Sequence, residues 1–168
     1  PDETHPVVFR DCTFEGPIDL TGTHLKIPVV FENCTVGGIE AEGAWFEDDV
    51  ELRESAVRGA VDCFETRFVR DARFTGTTFE APANFDEAAF EDDTRFDGVR
   101  FANVARFRAA SFEGKSNELD DNASFIGTAF ADDAEFTQAR FEHVVFADAT
   151  VGGEARFREA DFTGDADF

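Results

Sequence analysis

The sequence predicts an all-β chain wound into a four-sided coil, about seven circuits of about 22 residues each. Three observations predict it. One aromatic type fills the apolar positions, with 22 Phe but no Met and no Tyr among 168 residues. From Phe68 onward the gaps alternate 6, 5, 6, 5, through Phe74, Phe79, Phe85, Phe90, Phe96, Phe101, Phe107 and Phe112. The residue two before each of these is small, as at Ala72, Thr77, Ala83, Ala88, Thr94 and Ala105. An irregular core mixes side chains to fill irregular gaps, so one ring type at fixed spacing implies one cavity repeated many times. Small at i−2 and bulky at i, both pointing the same way, is strand alternation. Helix is excluded, because positions five and six apart share no face at 3.6 residues per turn.

Each element follows from that unit. Eleven residues make two short segments, too few to enclose a ring core, so the smallest closed circuit has four segments. The first face then carries Phe9, Phe31, Leu52, Phe74, Phe96, Phe125, Phe146 and Phe168. The second carries Phe14, Val36, Val57, Phe79, Phe101, Phe130 and Val151. The third takes Leu20, Ala41, Cys63, Phe85, Phe107, Phe136 and Phe157, and the fourth Leu25, Phe46, Phe68, Phe90, Phe112, Phe141 and Phe162. This lattice absorbs every Phe except Phe64, and either Cys63 or Phe64 fills the third-face position of its coil. The lattice slips in three places. Ala41 and Phe146 each arrive one residue early, and a gap of 13 between Phe112 and Phe125 expels seven extra residues as a loop within 113–122.

Words such as "ARF", "ASF", "AEF" and "ADF" place a small residue at i−2 and Phe at i, and in this the chain resembles the pentapeptide-repeat family over residues 7–168. The resemblance implies a right-handed quadrilateral parallel β-helix. It departs from the usual pattern in an extra residue at every second corner and in its preference for Phe. Residues 1–6, "PDETHP", read as an N-terminal tail or partial cap, and 7–168 as the β-helix with the loop insertion 113–122.

Charge narrows the function. There are 37 Asp and Glu against 15 Lys and Arg, a net charge of −22, and only Lys26 and Lys115 are Lys. Such a surface repels phosphates and anionic membranes, so direct nucleic-acid binding is not expected. Concentrated salt screens it over roughly 3 Å at 1 M, and the acidic, Lys-poor composition resembles proteins of salt-accumulating archaea. No apolar stretch approaches the roughly 18 residues of a membrane span and no signal peptide opens the chain, so a cytoplasmic protein is expected. Starting at Pro1 and ending on a repeat-like "ADF", the sequence reads as a piece of a longer or processed chain.

No catalytic site, cofactor site or metal site is expected. A packed ring core leaves its inward residues touching and its outward ones diverging, whereas catalysis needs convergent polar groups in a pocket. His5, His24 and His143 are scattered, with no nucleophile at a triad-like spacing. Cys12 and Cys34, one coil apart, are expected to point inward as free thiols, because parallel side chains set their Cβ atoms too far apart for a disulfide. The sequons at Asn33 and Asn122 would matter only in an exported chain.

The candidate surface lies at the corner from the fourth face to the first. "FEDD" places Glu47, Asp48 and Asp49 there, the same word recurs at Glu91, Asp92 and Asp93, and the inserted loop adds Glu118, Asp120 and Asp121 at the same edge. Calcium needs six to eight converging oxygens, which a flat row does not offer. Trp45, the only Trp, is expected to face outward as an interface anchor or under a neighbouring segment, and Val30, Phe64, Ile126 and Val145 outward with it. Two functions follow: a non-catalytic scaffold or protein-interaction module with a salt-adapted surface, and, as the resemblance implies, a DNA mimic that binds gyrase or a related topoisomerase. An open β-helix end also needs cover, which further chain or an end-to-end homodimer through the C-terminal coil would supply.

Overall fold

The computed structural model describes residues 5–114 and 122–168. All of its regular elements are strands, most of them two residues long, and every pairing is parallel. The first face is an eight-stranded sheet running from Val7–Arg10 to Ala166–Asp167, and the fourth a seven-stranded sheet from His24–Leu25 to Asp161–Phe162. The chain is a β-solenoid of about seven turns with about 22 residues per turn, as the Phe arithmetic predicts.

The register is the lattice itself. Phe9 pairs with Phe31 and Phe31 with Leu52 on the first face; Phe14 with Val36, Val36 with Val57 and Val57 with Phe79 on the second. Rings therefore stack along the axis. In the first column Phe74, Phe96, Phe125 and Phe146 follow one another at centroid distances of 4.7, 5.0 and 4.9 Å, their planes nearly parallel. Across the tube the same rings meet edge to face, as Phe96 and Phe107 do at 5.4 Å and 84°. Both geometries suit the ring quadrupole, negative on its face and positive at its edge, and each pair adds about 0.5–1.5 kcal/mol beyond area burial. One residue type serves because every circuit repeats the same two contacts.

The two gap lengths correspond to two kinds of corner. After each first-face and third-face position the gap is five, and the residue two further on has positive φ: Glu54 and Gly76 after Leu52 and Phe74, Glu87 and Ala109 after Phe85 and Phe107. An i→i+3 hydrogen bond closes most of them, such as Thr77 N–H to the Phe74 carbonyl at 3.1 Å, which with positive φ at the third residue is a type II turn; at the Leu52 corner Ser55 N–H turns instead to Thr77 Oγ1 at 3.5 Å. The six-residue corners carry no positive φ, and four of them show a side-chain cap. Asp48, Asp92, Asn103 and Asp132 each accept the N–H of the following residue at 2.9–3.1 Å. At those four corners the Asp or Asn side chain caps the amide that follows it, one of the reasons Asp and Asn collect there.

The first coils differ from the repeat. Strands Thr13–Asp19 and Thr35–Glu40 run through the corner between the second and third faces, joining these into one 12-stranded sheet. The residue missing before Ala41 shows as a register shift between Phe14 and Pro17, where the first coil is one residue longer than the second. Glycine permits the close stacking, since a Cβ on Gly59 would lie 2.0 Å from the Gly37 carbonyl oxygen. At the other slip, Thr94 pairs with Ala123 and Ala123 with Val144, so the wall resumes in register after the insertion. Residues 115–121, with Glu118, Asp120 and Asp121, lie outside the described residues.

Cys63 is the inward residue of its coil, 4% exposed, while Phe64 is half-buried at the surface. The short corner decides it: Glu65 occupies the positive-φ site, which fixes Cys63 two residues earlier as the column member. Cys12, Cys34 and Cys63 are free thiols. Val30 departs from the expectation of an exposed surface: it occupies an outward position beside Val8 and Glu51, yet is only 9% exposed.

Phe96 is wholly buried among Phe74, Phe107 and Phe125. Phe96→Ala is expected to lower unfolding free energy by about 3–5 kcal/mol, read as a fall in the urea midpoint at unchanged slope.

Candidate interaction surface at the fourth-to-first corner

The outward positions of the fourth face bring His24, Trp45 and Arg67 into one column, because each sits immediately before an inward residue. The Trp45 ring lies flat against the His24 imidazole, 4.2 Å away at 7°, and the Arg67 guanidinium carbon is 5.2 Å from its centroid on the next coil. Both faces of the indole are thereby occupied, leaving its rim in solvent at 39% exposure. The cover that the sequence left open comes from the column itself. An anchor role for Trp45 would use that rim rather than a free ring face.

The acids beside this column are largely engaged. Glu47 accepts a hydrogen bond from His24 at 2.6 Å and lies 3.5 Å from Lys26, and the His24 bond holds its carboxyl below the usual range. Glu91 pairs with Arg67. Asp48 and Asp92 cap their corners, as described above. Asp49, Asp71 and Asp93 fall on successive coils, where the carbonyls of Asp71 and Asp93 accept the N–H of Val50 and Ala72. Burial, the largest cause, raises the Asp49 and Asp93 carboxyls above the usual range; neighbouring Asp71 adds to it in both, and Arg73 and Arg95 oppose it. Asp93 keeps one oxygen buried without a hydrogen-bond partner, with Arg95 no nearer than 3.7 Å. Among the expected residues the structure therefore unites Trp45, Glu47 and Glu91 with the cations of the fourth face, and sets Asp49 and Asp93 in a separate carboxylate row.

Sequence reasoning missed a tighter pair. Asp86, 5% exposed, accepts the Arg108 backbone N–H at 2.8 Å and two guanidinium bonds at 2.8 and 2.6 Å. The signal was available: the two are 22 apart, one coil. Arg10 with Glu32 and Asn33 with Asp11 share that spacing. Asn122 is 3% exposed, which withholds that sequon in the folded chain.

The walls hold apolar columns and the corners hold carboxylates; among the described residues no group of three His, Cys, Asp or Glu is placed to hold a metal ion. None of their helices is long and apolar enough to cross a membrane. The family model for pentapeptide repeats, nine copies, matches residues 64–111 and 118–161, more than half of the chain. The chain belongs to the pentapeptide-repeat family. No curated protein matches it. The family's five-residue unit is visible here as one wall segment plus one type II corner. This pentapeptide-repeat chain lengthens alternate corners by one residue, which at four of them is a capping Asp or Asn.

The Asp93 carboxyl is raised in the folded state, so the stability it contributes is fully present below the unfolded carboxylate pKa and is lost as pH rises through the folded value. Asp93→Asn, which cannot ionise, is expected to raise Tm at pH 7 by the equivalent of no more than about 1 kcal/mol. The gain is expected to vanish on acidification to about pH 3, measured by thermal melts across the range.

Proposed function

We propose that this chain is a non-catalytic scaffold or protein-interaction rod, carrying a surface adapted to concentrated salt in the cytoplasm of a salt-accumulating cell. The observation that carries the reading is the divergence of its polar groups. The described hollows at the tube's two ends and inside it are walled by apolar side chains, and the charged groups point outward from the walls and corners. Such a surface offers registered rows of side chains to a macromolecular partner and no enclosed site for turnover. Asp49, Asp71 and Asp93 stand in a like-charge row despite the ion pairs of Asp71 with Arg73 and Asp93 with Arg95, and Asp49 and Asp93 are held above their usual range chiefly by burial and in part by Asp71. Concentrated salt relieves that repulsion, since the Debye length contracts to about 3 Å at 1 M.

A second reading, a DNA mimic that occupies a topoisomerase, is favoured by one feature: the row of Asp49, Asp71 and Asp93, a line of carboxylates repeating along the rod axis. Against it stand the pairing of Glu47 and Glu91 and the capping duty of Asp48 and Asp92.

A supercoiling assay with the matching gyrase in high salt separates the two. The scaffold reading expects no inhibition at stoichiometric excess, together with a Tm that climbs steadily as KCl is raised to molar concentration. Inhibition that is relieved when Asp49, Asp71 and Asp93 are changed to Asn would replace it with mimicry.

A further inference from the structure

The ring core has one interruption. From Phe85 onward the third column is an unbroken stack, Phe85 on Phe107 at 5.1 Å and Phe107 on Phe136 at 5.0 Å, but below it the column narrows to Leu20, Ala41 and Cys63. At the same level the second column offers Val57 and the first Leu52 in place of Phe. The volume of several rings is missing where the columns narrow together, and the structure holds a void of about 50 Å³ there. Its wall includes Leu20, Ile39, Ala41, Leu52, Val61 and Cys63, and every residue lining it is apolar.

A void of that size exceeds the roughly 10–15 Å³ that admits one water, yet a buried water needs about two to four polar partners, and this wall supplies none. The one ionisable group on it is Cys63, whose thiol is pushed up to about 12 chiefly by burial and so stays neutral. We propose that this void is a binding site for a single small apolar molecule, of the class of inert or diatomic gases and the smallest hydrocarbons. The size sets an upper limit: an apolar cavity of about 150 Å³ takes benzene or xenon, and one of about a third of that volume excludes the ring. Access runs from the open N-terminal end. Leu20, Val29 and Phe31 line both the void and the apolar hollow at the mouth of the tube, so rotation of these partition side chains connects the two.

Xenon pressure is the test, read by methyl NMR. Leu52 and Val61 report on the void alone, Ile18 and Ile27 on the mouth alone. The expected result is a saturable shift of the Leu52 and Val61 methyls with xenon and none with benzene. Cys63→Phe, which continues the ring stack into the void, is expected to abolish that shift while leaving the fold intact by circular dichroism. Should that variant not fold, Ala41→Val narrows the same wall and is expected to weaken binding in its place. Shifts confined to Ile18 and Ile27, shifts at Leu52 and Val61 that rise linearly without saturating, or saturable shifts unchanged in the filled variant would each overturn the site.

Discussion

The constraint on which everything else rests is coil-on-coil register. Each inward side chain sits directly over its counterpart one circuit earlier, at about the spacing of hydrogen-bonded strands, so a ring stacks on a ring only if the backbone ladder is intact. The two are mutually dependent. A two-residue strand contributes few hydrogen bonds and no isolated coil could hold one; the column of rings beneath it supplies the apolar burial, and the ladder in turn fixes the ring separation near 5 Å. Irregularities therefore collect at the corners. The slip before Phe146 and the seven-residue insertion fall between wall segments, pairing resumes at Ala123 as though nothing had intervened, and the slip before Ala41 is absorbed as a register shift where two walls are continuous.

The corners answer a different demand. A square circuit needs four bends per turn, and a sharp bend in an L-residue backbone is helped by a residue with positive φ or by a side chain that caps a freed amide. The five-residue corners of the first and third faces use positive φ, and several six-residue corners add an Asp or Asn cap. Positive φ is strained for residues other than glycine, yet Glu54, Glu65, Glu87, Ala109 and Gln138 accept it. The ladder on either side leaves the corner no other conformation.

Legibility followed from this physics. The columns were readable because each apolar position is dictated by register, and register is arithmetic: a spacing of 22 identifies neighbours. The same arithmetic applied to charges would have found Asp86 with Arg108 and Arg10 with Glu32, yet polar residues carry no columnar pattern that draws the eye. Cys63 against Phe64 could not be settled by hydrophobicity, which favours the ring; the corner geometry overrides it, since Glu65 must fall at the turn. The long strands of the first coils were hidden for a related reason. The spacing shows one shortened corner before Ala41, but not that both of the first two coils run straight through that corner as strand and fuse two walls into one sheet. At the candidate surface, the outward position of Trp45 was legible, but its enclosure by His24 and Arg67 depends on columns of outward residues, which the Phe lattice determines only indirectly.

Acidity in this fold is not a single property. An Asp at a six-residue corner has a backbone amide to accept, so Asp48 and Asp92 would be favoured there at any salt concentration. A Glu beside the fourth-face column meets a cation one coil away, and Glu47 and Glu91 are accounted for by His24, Lys26 and Arg67. Only the remainder, such as Asp49 and Asp93, bears a cost in the folded chain that solvent ions must offset. Because the coil repeat sets such groups in rows at strand spacing, their repulsion grows with each added coil, whereas caps and ion pairs are local and do not accumulate. A longer rod of this kind therefore depends more steeply on salt than a short one, and Arg73 and Arg95 on the adjoining wall, paired with Asp71 and Asp93, offset part of that repulsion.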